Sequence, residues 1–229
     1  MIRPLALASC LALLAGCAGT PTSTSSASAV AASSFDGVLA GSWRDPANVA
    51  RDRYRHPAET LAFFGVQPAQ TVIEIPPSAG WYSELLAPYL RDAGTYVAAS
   101  ASAAPDSGGG KRNATLKAKF AADPARYDRV QWQDFDGKAP VLGAAGSADA
   151  VLTFRNVHNW VAGGSADAYF QAFFAALQPG GVLGVVEHRA KPGTDLDTMK
   201  KSGYLTEALV IDLATLLRLP DLNQSVAVV

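Results

Sequence analysis

Two spacings of apolar residues alternate along this chain. Residues 71–75 (TVIEI), 95–99, 129–133, 150–154 (AVLTF) and 182–187 are short runs rich in β-branched and aromatic side chains, which predict five strands. Between them, 83–90 (SELLAPYL), 113–121, 166–177 and 204–217 repeat their apolar positions at helical spacing. Pro57 is placed to open a further helix, with Glu59 in its first turn. Pro88 is expected to end or bend the helix that holds it, and 177–181 (LQPGG) reads as a turn. Alternating strands and helices predict a Rossmann-like, doubly wound α/β fold, with a mostly parallel sheet, helices on both faces and ligands at the carboxyl ends of the strands. Residues 225–229 supply at most a sixth strand, so the C-terminal strands are expected to be incomplete. An apolar edge left open there would invite pairing with a partner, hence an oligomer.

The first 34 residues follow a different pattern. A positive start at 1–3 leads into an apolar run over 5–15, which is shorter than the ~20 residues needed to span a bilayer and reads as a secretory signal. It closes on Leu14, Ala15, Gly16 and Cys17, which resemble the lipobox of bacterial lipoproteins. That resemblance implies a signal peptide over 1–16, cleavage before Cys17 and acylation there, and Ala18 in place of Asp points to the outer membrane, on its periplasmic side. Two or more acyl chains anchor stably because each buried methylene contributes ~0.8 kcal/mol. Residues 17–34 then form a tether, mostly Ser, Thr and Ala, leaving 35–229 as one folded domain. Both cysteines, Cys10 and Cys17, lie before that domain, which therefore has no disulfide, zinc thiolate or cysteine nucleophile. With a formal net charge of -1 and basic residues scattered over Arg51, Arg53 and Arg55, Lys117 and Lys119, and Lys200 and Lys201, nucleic acid is excluded as a partner.

VIEIPPSAGWYSELLAPYL at 72–90, SADAVLTFRNVHNW at 147–160 and LQPGGVLGVVEHR at 177–189 together resemble the class I S-adenosylmethionine-dependent methyltransferases. More narrowly, the chain is similar to a group of predicted bacterial methyltransferases that share the phrases HPAETLAFFG, FRNVHNW and VVEHR, over about residues 39–217. The resemblance implies that S-adenosylmethionine binds after the first strand. Glu74 is the acid that ends it, and Ser78 and Gly80 lie in the turn that the cofactor's methionine part approaches. Trp81 and Tyr82 would wall the cofactor, Asp134 would accept a hydrogen bond from the adenine amino group, and Arg155 would contact the cofactor from beyond the fourth strand. Two departures stand out. Relatives carry two or three glycines at 78–80, where this chain has Ser78, Ala79 and Gly80, a turn it can tolerate if φ stays negative at the first two. The ribose acid expected after the second strand is missing, and the first carboxylate there is Asp106.

Methyl transfer asks an enzyme to align the acceptor and, where the nucleophile carries a proton, to supply a base. His158 and His188 both follow strands, on the expected ligand side. His158 suits a base, Asn156 a hydrogen-bonding role and His188 a supporting catalytic one, with Asn159 and Glu187 toward the substrate. Glu187 has three candidate partners, His158, Arg155 and Arg189. The same resemblance implies that the segment RYRHPAETLAFFG covers the cofactor mouth, with Tyr54 and His56 placed either to touch ligand or, with Leu61, Phe63 and Phe64, to cap and pack. No HExxH or GxSxG motif occurs, so neither a metal site nor a serine hydrolase is expected. Two functions follow: a methyltransferase acting on a small or envelope-associated acceptor, or a non-catalytic binding lipoprotein that keeps the fold. The acceptor is not legible in the sequence.

Overall fold

In this computed structural model, residues 34–217 and 225–228 are described; the predicted leader, Cys17 and nearly all of the tether lie outside them. Six strands form one parallel sheet: β1 (Thr71–Glu74), β2 (Thr95–Ala101), β3 (Gln131–Phe135), β4 (Ala148–Phe154), β5 (Leu177–Val186) and β6 (Ser225–Val228), in the order β3-β2-β1-β4-β5-β6. Alternate residues point to opposite faces, so each central strand feeds two cores. Ile73, Val97 and Val151 meet Phe170 and Phe173 on one face, while Val72, Ala98 and Leu152 meet Leu85, Leu86 and Phe120 on the other. The strand order reverses between β1 and β4. Such a switch point opens a crevice at the carboxyl ends of the two strands.

Short helices precede the sheet: α1 (Phe35–Leu39), α2 (Pro46–Val49), α3 (Asp52–Arg55) and α4 (Pro57–Phe63). Pro46 and Pro57 each sit in the first turn, where a missing N–H costs nothing. Buried Arg44 forks onto both oxygens of Asp52, at 2.5 and 2.8 Å, and so holds α3 against the segment before α2. The crossover and flanking helices are α5 (Ser83–Leu90), α6 (Gly108–Ala121), α7 (Pro124–Tyr127), α8 (Val157–Ala162), α9 (Ala166–Ala176), α10 (Leu196–Ser202) and α11 (Glu207–Leu217).

Several expected boundaries move. α5 continues through Pro88 to Leu90. Proline cannot donate to the carbonyl of Glu84 four residues back, and the indole N–H of Trp43 takes that carbonyl instead at 3.3 Å. α6 starts five residues before the expected 113, because the Ser107 hydroxyl accepts from the Gly110 N–H and caps the glycine run. A side chain at Gly110 would lie 2.1 Å from the Ala104 carbonyl oxygen, so the run serves a close backbone approach. β3 begins at Gln131 rather than 129, since the Val130 N–H closes the turn of α7 on the Tyr127 carbonyl. LQPGG is no free turn: α9 passes directly into β5, Leu177 pairs with Ala148, and the ladder resumes at Val182 with Ala150. The residues between them bulge, with Gly180 at φ 79°. The last helix begins at Glu207, later than expected, because Leu205 bridges to Arg189 beyond β5.

Candidate functional site

β1 delivers Glu74 to the switch point in a fully buried position. The hydroxyls of Ser83 and Tyr96 donate to its Oε2 at 2.7 and 2.5 Å, and burial pushes its carboxyl up to about 7. The chain then turns through Pro76–Gly80. The condition of negative φ is not met at Ser78, which stands at φ 54°, a left-handed conformation that costs a side-chain-bearing residue about 1–2 kcal/mol. Gly80, at φ 85°, lies against Leu116 of α6, whose Cδ1 would come within 2.5 Å of an added Cβ. Its lack of a side chain serves helix packing. Tyr82 is buried, stacks on Phe154 at 3.5 Å between ring centres, and has its hydroxyl pushed up to about 12 by burial.

Beyond β4, Arg155 is also left-handed, at φ 56°, with its N–H on the Val186 carbonyl. α8 follows and turns His158 toward the end of β5. The His158 Nδ1 lies 3.0 Å from both oxygens of Glu187, which is nearly buried and also accepts the His188 N–H at 3.1 Å. Of the three partners open to Glu187, His158 is the one engaged, while Arg189 pairs with Glu207. A carboxylate on Nδ1 selects the Nδ1–H tautomer and leaves Nε2 as an acceptor. His188 stacks on Tyr204 at 5.1 Å.

Two adjoining cavities open here. One, of about 520 Å³, is lined by Glu74, Ser78, Trp81, Tyr82, Phe154, Arg155, His158 and His188, with Arg51 and Arg55 from the N-terminal helices and Ser202–Tyr204 after α10. The other, of about 660 Å³, takes in Tyr54, His56, Phe63, Glu187, Arg189 and Val228. Arg55, Tyr82, Phe154, Arg155 and His188 line both and form the seam between them. Arg55 Cζ lies over the Trp81 ring, 4.5 Å from its centre; burial, then the charges of Arg155 and Arg51, lower it from its ordinary value to about 10.

Four of the expected site residues fall elsewhere. Asp134 lies on the α6 face of the sheet and pairs with Lys117 at 2.8 Å, away from both cavities. Asn156 and Asn159 bond to each other at 3.0 Å at the start of α8, and neither lines a cavity. Gly80 is the fourth. Arg51 and Arg55, read in the sequence as part of a scattered basic set, prove central. Their four-residue spacing across a helical turn was the available signal, but it did not reveal what they face.

No family model and no curated protein matches the chain. Solved structures do. A SAM-dependent methyltransferase from Aquifex aeolicus is 12% identical, with a TM-score of 0.57 over 76% of this chain and 82% of that one. The cyclase SpnF is 14% identical, with a TM-score of 0.53 over 71% and 55%. A candidate exported protein of Bordetella parapertussis is 17% identical, with a TM-score of 0.50 over 76% and 63%. The fold is thus that of the class I methyltransferases, shared with proteins of other description.

The residues meet the class I cofactor unevenly. Its amino-acid end would meet the cavity under the 76–80 turn, where Arg51 offers a cation to a carboxylate. Its nucleoside end would lie over β2 and β3, whose ends line neither cavity. Asp106 is exposed and outside both.

Proposed function

We propose that this protein is an S-adenosylmethionine-dependent methyltransferase acting on a small acceptor with a proton-bearing nucleophile. The observation that carries this reading is the His158–Glu187 pair, held at the carboxyl ends of β4 and β5 beside a cavity at the switch point of a methyltransferase fold. His158 Nε2 takes the acceptor's proton, and Glu187 fixes the ring and stabilises the imidazolium that forms. Arg51 and the 76–80 turn would hold the cofactor's amino-acid end, and the group supplies an electrophilic methyl on sulfur. Most of the catalysis then comes from alignment, through Tyr82, Phe154 and the strained backbone at Arg155.

Calorimetric titration of the full chain in mild detergent with S-adenosylhomocysteine tests the cofactor. Absence of both heat and thermal shift sinks the reading. Given binding, His158→Ala is expected to lower turnover by about 10²–10⁴ with little change in cofactor affinity. Equal losses in both would make His158 structural.

A second reading, a binding protein of the cell envelope that uses no cofactor, is favoured by the missing ribose carboxylate and by cavities that stop short of β2 and β3. Placement in the envelope through a lipid on Cys17 belongs to either reading, and the likeness to a candidate exported protein supports it.

A further inference from the structure

The seam between the two cavities carries an unbalanced charge. Arg44, Arg91, Arg126 and Arg189 each have a carboxylate partner, whereas Arg55 and Arg155 have none among the described residues. Most acids nearby are already engaged: Asp52 by Arg44, Glu187 by His158, and Glu74 by the hydroxyls of Ser83 and Tyr96; Glu59, on the exposed side of the second cavity, lies 3.8 Å from His56. Two guanidinium groups therefore face the same space and repel each other, an arrangement that an anion relieves.

Backbone strain points to the same place. Among the described residues, His56, Ser78 and Arg155 are the side-chain-bearing positions with positive φ, and all three line the cavities. At Arg155 the strain sets the direction in which the guanidinium leaves the end of β4. Arg51 lines only the cavity under the 76–80 turn, whereas Arg55 and Arg155 also face the second one. The lining surface of the second is mostly apolar, although His56, Glu59, Glu187 and Arg189 also line it, and Tyr54 and Phe63 stand 70% and 61% exposed around it.

We infer that the ligand of the second cavity is a small aryl acid, its oxyanion gripped by Arg55 and Arg155 and its ring set against Tyr54 and Phe63. This inference stands beside the methyl-transfer reading and does not rest on it, since His158 lines the other cavity. A carboxylate and a phosphate both match a guanidinium fork, so the shared requirement is a planar or tetrahedral oxyanion on an aromatic body.

Calorimetric titration of the full chain in mild detergent compares 4-hydroxybenzoate and phenyl phosphate with 4-hydroxybenzyl alcohol and tyramine. At least one anion is expected to bind about tenfold or more tighter than the neutral and cationic probes, and Arg55→Gln and Arg155→Gly should each weaken it by about tenfold. Arg155→Gly suits the left-handed backbone there, and thermal melts confirm that each variant is folded. Whichever anion binds identifies the oxyanion. The inference is overturned if neither anion binds, if the alcohol or amine binds as well, or if both folded variants keep full affinity. Titration with S-adenosylhomocysteine separates the two readings: aryl acid bound without it removes methyl transfer alone, and the reverse removes this inference alone.

Discussion

Glu74 is a carboxyl with two hydroxyl donors and no ion pair among the described residues, in a nearly fully buried position. Its raised value, about 7 against an ordinary 4.5, means that the folded protein holds this proton more tightly than the unfolded chain. Stability therefore falls as pH rises from about 4.5 to about 7, by roughly 3 kcal/mol over the window, and is flat in this respect above it. Glu74→Gln keeps an acceptor for Ser83 and Tyr96 and carries no charge. Its urea-unfolding free energy should lack this decline, so that the variant gains on the wild type between pH 5 and 8. A parallel pH dependence in the two proteins would place the titrating group elsewhere. Glu74, His158 and Glu187 were legible because each ends or closely follows an apolar run. The pairing of Asp134 was not legible, because nothing local to it announces that Lys117, from another element, will engage its carboxylate.

Pro88 shows how an element survives a residue that argues against it. The helix signal in SELLAPYL was plain, and so was the expectation that proline would break it. What the sequence cannot display is Trp43, whose indole satisfies the carbonyl that Pro88 leaves without a donor. Trp43→Phe should cost about 1 kcal/mol through that bond, beyond any loss of packing. In a Pro88→Ala background the restored N–H reaches the Glu84 carbonyl, and the same substitution should cost measurably less. A double-mutant cycle by denaturant unfolding reads the coupling directly, and a coupling near zero would mean that the indole bond contributes nothing. The start of α6 and the bulge at the head of β5 escaped notice for a related reason. Runs of glycine and proline mark special backbone, yet only their neighbours decide whether that backbone opens a helix, enters a strand or turns freely. The alternation of strands and helices survives such errors, because the two cores depend on apolar periodicity rather than on boundaries.

At the scale of the whole molecule, the proposed anchor and the proposed chemistry pull apart. No helix among the described residues is long and apolar enough to cross a membrane, so attachment would rest on Cys17 and its acyl chains. S-adenosylmethionine is made in the cytoplasm, and a domain tethered outside has no evident supply of it. A chain expressed in a Gram-negative host with radiolabelled palmitate should take up label, and Cys17→Ser should not. Label retained by Cys17→Ser, or absent from the wild type, would reject the anchor at Cys17. If the label behaves as expected, the burden shifts to the cavities. The seam formed by Arg55 and Arg155 needs only an anion, whereas a nucleoside beside the space under the 76–80 turn would meet no carboxylate at the end of β2 and, on β3, only Asp134, which is paired with Lys117. An anchored protein that binds an aryl acid and ignores S-adenosylhomocysteine would then be a methyltransferase fold turned to ligand capture.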